Sequence, residues 1–478
     1  MTHLSEPSAA FLEGLRELLG PKGWLPADGH PGYFTEPRGK WRGRGALIAR
    51  PILTEEVAEV VRRCAAAGVG VVPVSGGTGL VAGQIATDGP TPVLLSTERM
   101  DRVREVSRED AAITVEGGCV LETVQQAAEA AGMLFPLSYA SQGSARIGGA
   151  LAANSGGVQV IRYGNARDLC LGLEAVLPDG SVFHGLKSLR KDNTGYDLRN
   201  LLIGAEGTLG VITAATLKLF PRPAETATAL CALRSPADAL ALLRKLQETL
   251  GESVSAFELI ARQGVDFVLD HIDRSRDPME AKHPWYALLE IGAPGAAEAL
   301  EGALGELWEE YLEDAVLASN EAQRQELWRL RENIPLANAE VGAIASHDIS
   351  IPIGRIAEFI AEGDDMARKV APGARINCFG HLGDGNLHYN FYPPEGRRRD
   401  EPEFKVLAPL VTRAVHDLTH HYGGSISAEH GIGRAKRDDL ARYGDPAKLA
   451  AMRAIKRALD PVGIMNPGAV LSVEEERT

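Results

Sequence analysis

The chain has 478 residues, more than one hydrophobic core usually organises, so its length predicts two or three domains. Its 45% hydrophobic content is typical of a globular protein, and no apolar run approaches the roughly 18 residues of a membrane span. The net charge of −14, from 50 basic and 64 acidic residues, argues against a nucleic-acid partner but allows a local arginine to bind a small anion.

The first 20 residues lack the basic region and apolar core of a signal peptide, and they predict an amphipathic helix. The cysteines are scattered and none has the CxxC spacing of a metal or redox site. They predict buried, unpaired thiols in a reducing compartment, so the cytoplasm is the expected location. The five cysteines are Cys64, Cys119, Cys170, Cys231 and Cys378.

A helix and then a strand are predicted next along the chain. Thr54 is placed to cap the helix, and Gly68 is placed to end it. The valine-rich run 69–74 predicts a short strand. Residues 121–137 repeat the pattern of a helix followed by a glycine, so 45–222 predict an α/β or α+β domain with glycine-dense connections.

The stretch PVSGGTGLVAGQ follows the predicted strand. Gly77, Gly79 and Ala82 formally match the dinucleotide-binding fingerprint, but that motif requires a following helix, and here prolines and an Asp-Gly turn follow instead. The Gly-Lys-Ser/Thr of a phosphate-binding loop is also missing. The stretch is therefore either a tight turn or a loop whose backbone N–H groups form an anion-binding nest.

Two further glycine-rich stretches favour the nest. Residues 141–164 contain six glycines and three serines with few charges, which lets a large ligand lie against the backbone. Residues 202–213, LIGAEGTLGVIT, have the same character. Three such stretches in one domain predict an extended, phosphate-bearing cofactor that is longer than a mononucleotide.

A domain boundary is predicted near LFPRPAETATAL. Pro221 and Pro223 interrupt the chain, and residues 225–375 carry longer amphipathic helices with far fewer glycine pairs. Glycine-rich signals return between 380 and 434. The final segment could pack back on the first domain.

A hairpin is predicted at FGHLGDGNLHYN, because Asp384-Gly385 is a preferred pair for a two-residue turn. With this turn, His381 lies opposite His388 and both side chains share one face. Two neighbouring imidazoles begin a divalent-metal site. The ordinary alternative is one surface histidine and one hydrogen-bonded core histidine.

A third metal ligand is available in SAEHGIG, where Glu429 precedes His430. Adjacent residues of a regular strand point to opposite faces, although the two glycines that follow bend the chain. The simplest assignment adds Glu429 to the two histidines and leaves His430 as a base. Two histidines and one carboxylate leave coordination positions open, which is typical of a catalytic ion.

Seven motifs, in order and with family-like spacing, resemble the FAD-dependent D-2-hydroxyacid dehydrogenases, flavoproteins of the vanillyl-alcohol-oxidase type. The resemblance runs from about residue 45 to the end of the chain. The motifs are PVSGGTGL, SARIGGALAANSGG, RYGNARDLCLGLEAVLPDG, KDNTGYDLRNLLIGAEGTLGVIT, GHLGDGNLHYN, SAEHGIG and DPVGIMNPG.

The resemblance implies an α+β fold, with an FAD-binding domain of two α+β subdomains (PCMH type) and a substrate-binding cap domain built on an antiparallel sheet. It assigns 1–222 to FAD binding, 223–430 to the cap and the metal site, and 431–478 to a segment that returns to the FAD domain. FAD is expected to be bound non-covalently. The implied FAD contacts are Pro73, Ser75, Gly76, Gly77, Thr78, Gly79, Leu80, Ser141, Gly143, Ser144, Gly148, Gly149, Asn154, Ser155, Gly157, Gly207, Ile212 and Asn466.

The resemblance also implies a mechanism. A zinc ion, or manganese, on His381, His388 and Glu429 would bind the substrate 2-hydroxyl and a carboxylate oxygen. His430 would contact the substrate and accept the hydroxyl proton. Hydride would pass from C2 of the substrate to flavin N5 and leave a 2-keto acid.

Two further residues match substrate contacts of the family. Arg331 corresponds to an arginine that grips the carboxylate, although by itself it also fits a solvated charge in a helix. Asn390 shares a strand face with His388. The implied substrate is an anionic D-2-hydroxy acid, D-2-hydroxyglutarate first. Ser346 stands where the family has a lysine, so D-lactate or another D-2-hydroxy acid is the alternative.

Two other functions fit part of the sequence. A zinc hydrolase would use the same histidines but leaves the glycine-rich stretches without a role. A non-catalytic flavin-binding module fits the Ser346 departure, whereas His430 and Arg331 argue against it. The resemblance favours an electron-transfer flavoprotein or a quinone-linked acceptor over NAD, with a homodimer as the assembly to test.

Overall fold

The structure is a computed structural model that describes residues 4–472. Short 3-10 helices lie at Pro31–Phe34, Gly251–Ser253 and Ile353–Arg355. The α-helices are α1 (Ala9–Leu19), α2 (Thr54–Ala67), α3 (Leu121–Ala130), α4 (Ile147–Ala153), α5 (Val160–Tyr163), α6 (Ala166–Leu169), α7 (Leu198–Leu202), α8 (Pro236–Leu250), α9 (Arg262–His271), α10 (Ala296–Tyr311), α11 (Glu321–Glu332), α12 (Ile334–Val341), α13 (Ile356–Val370), α14 (Pro402–His421), α15 (Arg437–Tyr443) and α16 (Pro446–Leu459).

The strands form four sheets. They are β1 (Trp24–Pro26), β2 (Leu47–Ala49), β3 (Val71–Val74), β4 (Val93–Ser96), β5 (Val103–Ser107), β6 (Ala112–Glu116), β7 (Met133–Leu134), β8 (Cys170–Val176), β9 (Val182–Gly185), β10 (Val211–Lys218), β11 (Phe220–Pro221), β12 (Thr226–Leu233), β13 (Val254–Ala261), β14 (Trp285–Gly292), β15 (Asp314–Leu317), β16 (Asp348–Ser350), β17 (Arg375–His381) and β18 (Asn386–Tyr392).

The chain divides into two compact units. Within the described residues, the first unit comprises 4–156, 165–222 and 429–472. The second comprises 157–164 and 223–428. The chain therefore passes from one unit to the other four times.

Two larger sheets organise the first unit. One has the order β1-β2-β4-β3, in which β2, β4 and β3 are parallel and β1 is antiparallel to β2. The other, β5-β6-β10-β8-β9, is antiparallel throughout. The strands β7 and β11 form a separate antiparallel pair.

Helix α2 buries Val57, Val60, Val61 and Cys64 in a core that includes residues of β2, β3 and β4. Gly68 ends the helix with a left-handed φ of +63°, as predicted. The prediction that Thr54 caps the helix was wrong, because the N-cap position is Leu53. The Thr54 hydroxyl instead donates to Oε1 of the buried Glu174 at 2.8 Å.

One antiparallel sheet organises the second unit, with the order β15-β12-β14-β13-β17-β18-β16. Alternate residues of its central strands enter two different cores. Helices α8, α10, α13 and α14 contribute to one core, and α9, α11 and α12 contribute to the other. Because helices cover both faces, β13 is buried along its whole length.

The α+β fold class and the antiparallel sheet of the second unit are confirmed. The loop between β3 and β4 contains no helix in the part of the chain described, which agrees with rejecting the dinucleotide fingerprint. All five cysteines are buried, and none forms a disulfide. Among residues 4–472, no helix combines the length and the apolar character needed to cross a membrane.

Candidate active site

The first glycine-rich stretch directly follows β3. Gly76 and Gly77 have φ of +85° and +69°, in the left-handed region that favours glycine. A Cβ on Gly76 would lie 3.0 Å from both the carbonyl oxygen of Ser144 and the backbone nitrogen of Arg146. A Cβ on Gly77 would meet no atom within 4 Å. Gly76 therefore packs against the second stretch, whereas Gly77 borders open space.

The second stretch touches the first through glycines at the start of α4. A Cβ on Gly149 would lie 2.3 Å from the Ser75 carbonyl oxygen, and one on Gly148 would lie 2.9 Å from that of Gly117. Ser75 Oγ donates to the same Gly117 oxygen at 3.0 Å and accepts from Thr97 Oγ1 at 2.9 Å. These two glycines are therefore required for the backbones to approach each other.

The third stretch and the C-terminal segment meet the first stretch as well. A Cβ on Gly207 would lie 3.0 Å from the Pro73 ring, and Gly207 has a φ of +71°. Asn466 Nδ2 donates to the carbonyl oxygens of Gly83 at 2.9 Å and Glu206 at 2.8 Å. Asn466 is 1% exposed, so it joins the first and third stretches from inside the unit.

The residues predicted to contact FAD lie in the first unit, with one exception. Gly157 opens the short segment that belongs to the second unit. Pro73 is in β3 and Ser75, Gly76, Gly77, Thr78, Gly79 and Leu80 follow it; Ser141, Gly143 and Ser144 precede α4, which contains Gly148 and Gly149; Asn154 and Ser155 follow α4; Gly207 precedes β10, which contains Ile212; and Asn466 follows α16.

A buried lysine, which the sequence pattern did not reveal, holds the C-terminal segment. Lys456 Nζ donates to Asp460 Oδ2 at 2.8 Å and to the carbonyl oxygens of Thr208 at 3.0 Å and Met465 at 2.7 Å. The side chain is 3% exposed. No signal was visible in the sequence, because a lysine four residues before an aspartate on a helix also fits an exposed ion pair, and Thr208 lies 248 residues away.

Arg434 is a second buried cation in this region that the sequence did not reveal. Its amino groups donate to the carbonyl oxygens of Ala82 and Gly83, both at 3.1 Å, and to Asn466 Oδ1 at 3.1 Å. It is 3% exposed. Its position four residues after His430, directly after the motif SAEHGIG, was the available signal.

Glu429 and His430 lie outside any strand. Gly431 and Gly433 bend the chain after them, with φ of +79° and +50°, as predicted. The strand geometry that would separate two adjacent side chains therefore does not apply. Burial raises the pKa of Tyr139 to about 12, and the nearby charge of Glu429 adds to the increase, so Glu429 lies near the second glycine-rich stretch.

Glu206, which the sequence analysis missed, braces this bend. Its carboxylate accepts from the backbone N–H of Ile432 at 2.8 Å and of Gly433 at 2.7 Å. Burial raises the pKa of Glu206 above its ordinary value, against these two hydrogen bonds and the charges of Lys436 and Arg434. An acid between glycines in LIGAEGTLG was the available signal.

The hairpin exists, but its predicted register was wrong. Phe379, not His381, is the ladder partner of His388, so the turn contains four residues rather than two. Gly385 ends this turn with a φ of +86°. Because the register differs by two residues, the side-chain faces are unchanged, and His381 and His388 remain on one face with ring centroids 6.2 Å apart.

His381 is held by a buried ion-pair cluster. It lies opposite Glu258 in the β13–β17 ladder, and its Nδ1 is 2.5 Å from Glu258 Oε1. Arg331 Nε, from α11, donates to Glu258 Oε2 at 2.7 Å, and its guanidinium lies 4.9 Å from the Phe379 ring centroid. Burial alone would raise the pKa of Glu258, but His381 and Arg331 outweigh it and lower the pKa to about 2.

The structure shows that Arg331 is not a solvated charge, since it is 6% exposed. Glu258, which sequence analysis missed, had a visible signal as the single acid in the apolar strand VSAFELIA. A charge at an inward position of a buried strand requires partners. Here one nitrogen of His381 and one nitrogen of Arg331 supply them.

Asn390 lies two residues after His388 in β18, as predicted. Its Oδ1 accepts from the backbone N–H of His347 at 2.9 Å. His388 pairs on its other side with Asp348 of β16, and the Asp348 carbonyl accepts from the N–H of Ala428 at 3.3 Å. Ala428 is the residue that precedes Glu429 in the chain.

Ser346 lies in the irregular segment between α12 and β16, and it is exposed. The neighbouring His347 is buried, and its Nδ1 is 2.6 Å from the Tyr389 carbonyl oxygen. A lysine at position 346 would therefore place a positive charge on a side chain that starts from an exposed residue. This chain has the neutral hydroxyl of Ser346 at that position.

Two family descriptions match the chain. Residues 46–185 match the FAD binding domain, and residues 222–470 match the FAD linked oxidases, C-terminal domain. The second match alone spans more than half of the 478 residues.

Curated relatives are similar over most of their length. A mitochondrial D-2-hydroxyglutarate dehydrogenase of Bos taurus is 38% identical over 90% of this chain and 77% of its own. D-2-hydroxyglutarate dehydrogenases of Xanthomonas citri pv. viticola and Stutzerimonas stutzeri are 36% and 35% identical, and cover 92% and 97% of this chain and 92% and 99% of their own.

Solved structures share the fold at low identity. A p-cresol methylhydroxylase superposes with a TM-score of 0.76 at 16% identity, over 99% of both chains. An alkyldihydroxyacetonephosphate synthase superposes with a TM-score of 0.74 at 16% identity, over 97% of this chain and 86% of its own. The chain belongs to the family of FAD-linked oxidases, together with the D-2-hydroxyglutarate dehydrogenases.

Proposed function

We propose that this FAD-dependent oxidoreductase oxidises a D-2-hydroxy acid to the 2-keto acid, with D-2-hydroxyglutarate as the first candidate substrate. The relatives named D-2-hydroxyglutarate dehydrogenases support the reaction class. The observation that carries the proposal is the joining of His381 and the buried Arg331 to one carboxylate, Glu258. The imidazole that we propose as a metal ligand and the guanidinium that we propose as the carboxylate-binding group thus share one buried partner, which suits a hydroxy acid as the substrate.

The first unit is the proposed FAD-binding domain, and its residues fit such a ligand. Gly77 borders open space at a left-handed backbone position, whereas Gly76, Gly148 and Gly149 hold the neighbouring stretches together. The loop after β3, Asn154, Ser155 and the backbone near Gly207 would hold the cofactor. Bound there, FAD would supply the acceptor for the hydrogen that leaves C2 as hydride.

The histidine pair is the proposed start of a divalent-metal site. Nδ1 of His381 is occupied by Glu258, so His381 would offer Nε2, and His388 would offer a nitrogen from the same sheet face. Glu429 would complete the set, one peptide bond beyond Ala428. Zinc fits two imidazoles and a carboxylate, and manganese is the second candidate. The metal would supply Lewis acidity that lowers the pKa of the substrate hydroxyl.

Arg331 would bind the substrate carboxylate. Its hydrogen bond within the described residues uses Nε, and the two amino groups of the guanidinium form the fork that suits a carboxylate. Asn390 would donate from its amide nitrogen, because its oxygen accepts from His347. These contacts would orient C2 and discriminate between D- and L-enantiomers.

His430 would accept the proton of the 2-hydroxyl group. An imidazole is suited to this step because its ordinary pKa lies near neutrality. The bend that Glu206 braces would fix the backbone beside His430 during the reaction. A rigid base is expected to need less reorganisation when the proton moves.

The wider assignments are also proposals. We assign 1–222 to FAD binding, 223–430 to the cap, and 431–478 to a segment that completes the FAD domain. The compact units differ from these bounds at 157–164, which belong to the second unit, and at 429–430, which belong to the first. The five buried, unpaired cysteines are typical of a reducing compartment, so the cytoplasm remains the proposed location. An electron-transfer flavoprotein or a quinone-linked acceptor is the proposed oxidant of the reduced enzyme, and a homodimer is the proposed assembly.

The second carboxylate of D-2-hydroxyglutarate has no assigned cation, because Ser346 replaces the lysine that the family resemblance led us to expect. D-lactate, which has one carboxylate, is therefore the alternative substrate. A direct comparison of the two acids decides between them.

The experiment is an anaerobic visible spectrum of the purified protein before and after addition of each acid. Bleaching of the flavin absorption by D-2-hydroxyglutarate or D-lactate, but not by the L-enantiomers, is expected. A chelator and His430→Ala should both abolish the bleaching while the flavin stays bound. A colourless protein that cannot be reconstituted with FAD would refute the proposal and favour the hydrolase. A yellow protein that no hydroxy acid reduces would favour the non-catalytic module.

A further inference from the structure

In the function proposed above Glu258 contacts neither the substrate nor the metal, yet it occupies an unusual place. It lies in the middle of the apolar strand β13 and is 0% exposed. Its ladder partner is His381, and Arg331 approaches it from α11 on the same side of the sheet. Burying a carboxylate in this way is costly unless its partners hold both oxygens.

Both oxygens of Glu258 are committed. Oε1 faces Nδ1 of His381 at 2.5 Å, and Oε2 accepts from Nε of Arg331 at 2.7 Å. An ionised carboxylate can only accept hydrogen bonds, so Nδ1 of His381 carries the proton. The lone pair of the neutral ring is then on Nε2. The hydrogen bond from Arg331 fixes the orientation of the carboxylate, because Nε of arginine can only donate and Oε2 must therefore accept.

We propose that Glu258 is a positioning residue that holds His381 in the tautomer with its lone pair on Nε2, and that Arg331 anchors Glu258 in this orientation. The proposal rests on the function above, because it takes His381 as a metal ligand and Arg331 as the carboxylate-binding residue. One buried carboxylate thus orients both the proposed metal ligand His381 and the proposed substrate-binding Arg331. Carboxylates that orient ligating histidines commonly affect metal affinity strongly.

Glu258→Gln separates this role from packing, because glutamine has nearly the same shape. Arg331 Nε can only donate, so the glutamine oxygen is expected to face Arg331. The glutamine NH2 group then faces Nδ1 of His381, which must become an acceptor. The proton moves to Nε2, and the nitrogen needed by the metal loses its lone pair.

Glu290 provides the matched control. It lies in β14 on the same sheet face, two residues from Leu288, the ladder partner of Glu258. It is 6% exposed and its Oε2 accepts from Thr228 at 2.9 Å and Trp328 at 2.8 Å. Glu290 also pairs with Arg324 of α11 at 2.9 Å. Glu290→Gln therefore removes a similarly buried, arginine-paired negative charge near α11 without touching a proposed ligand.

The experiment measures zinc affinity of the metal-stripped holoflavoprotein by competition with a chromophoric chelator. Glu258→Gln is expected to lower the affinity by about 10- to 100-fold, whereas Glu290→Gln leaves it unchanged. Long-range 15N correlation spectra of histidine-labelled, metal-stripped protein in mildly alkaline buffer report the tautomer directly. The signal of His381 is identified by its loss in His381→Ala, and it should switch from the Nδ1–H to the Nε2–H form in Glu258→Gln.

Each outcome bears on the proposal separately from the proposed function. An unchanged tautomer in Glu258→Gln, or equal losses of zinc affinity in both glutamine variants, would overturn the positioning role. A tautomer switch in a protein whose wild type binds no zinc would support the role of Glu258 and refute the metal site instead. Zinc affinity that falls in Glu258→Gln alone, with the switch, supports both.

Discussion

The buried Lys456 offers the clearest quantitative prediction, through Lys456→Met. Methionine keeps most of the volume, so the change removes mainly the charge and three donated hydrogen bonds. Breaking a buried ion pair costs about 3–5 kcal/mol. Asp460 keeps the backbone N–H donors of Gly463, Ile464 and Met465, so the lower end, about 3 kcal/mol, is expected. That corresponds to a fall of about 6–12 °C in Tm for a unit of this size.

The assay is thermal unfolding followed by release of flavin fluorescence, which reports on the first unit. Lys448→Met is the control, because Lys448 lies on the same helix α16 and is exposed. It should change Tm by about 1–2 °C at most, since exposed substitutions usually cost less than about 0.5 kcal/mol. Equal Tm values for the two variants would refute the view that Lys456 holds the C-terminal segment in place.

Three further predictions follow from the first unit. Gly149→Ala should prevent stable folding or flavin binding, because its Cβ would lie 2.3 Å from the Ser75 carbonyl oxygen. Gly77→Ala should fold and lose only about 1–2 kcal/mol of stability, the cost of a left-handed backbone for alanine. Equal yields of flavin-bound protein from the two variants would contradict this difference. Glu206→Gln should lower the urea midpoint, since losing one charge-assisted acceptor costs about 1.5–3 kcal/mol, and an unchanged midpoint would argue against its bracing role. Burial alone would raise the pKa of Glu174, but its hydrogen bonds and the charge of Arg104 outweigh burial and lower the pKa. The stability that Glu174 contributes is therefore complete above the unfolded-state pKa of about 4.3 and is lost as the pH falls further. Glu174→Gln should make the stability against urea depend less on pH in that range, and a curve parallel to that of the wild type would refute this.

The hairpin illustrates what the sequence could and could not predict. Asp-Gly is a strong turn signal, so the existence of the turn was predictable. The loop length depends on hydrogen bonds around the turn, here from Gly385 N–H to the His381 carbonyl at 3.1 Å, which no residue type specifies alone. The shared face of the two histidines survived because strand faces alternate with period two and the register error was two residues.

The glycines illustrate a second limit. Their density predicted a backbone that a ligand can approach closely, and at Gly148 and Gly149 the structure shows another backbone at that distance instead. Sequence does not distinguish these two uses, because the difference between Gly77 and Gly149 depends on which atoms the fold places beside them. The wrong prediction of a cap at Thr54 has the same cause, because the partner of its hydroxyl depends on the fold. That hydroxyl donates to Glu174, which is 120 residues away in the sequence.

The route of the chain has a consequence for dissecting this protein. Because residues 157–164 belong to the second unit, a fragment consisting of 223–428 would lack Ile161, which packs against Gly383. Such a fragment would expose the part of the apolar core that Ile161 covers and would be prone to aggregate. The missing octapeptide supplied in trans, or fused ahead of residue 223, should restore solubility, so the smallest autonomous form of this unit is an assembly of two pieces rather than a continuous stretch.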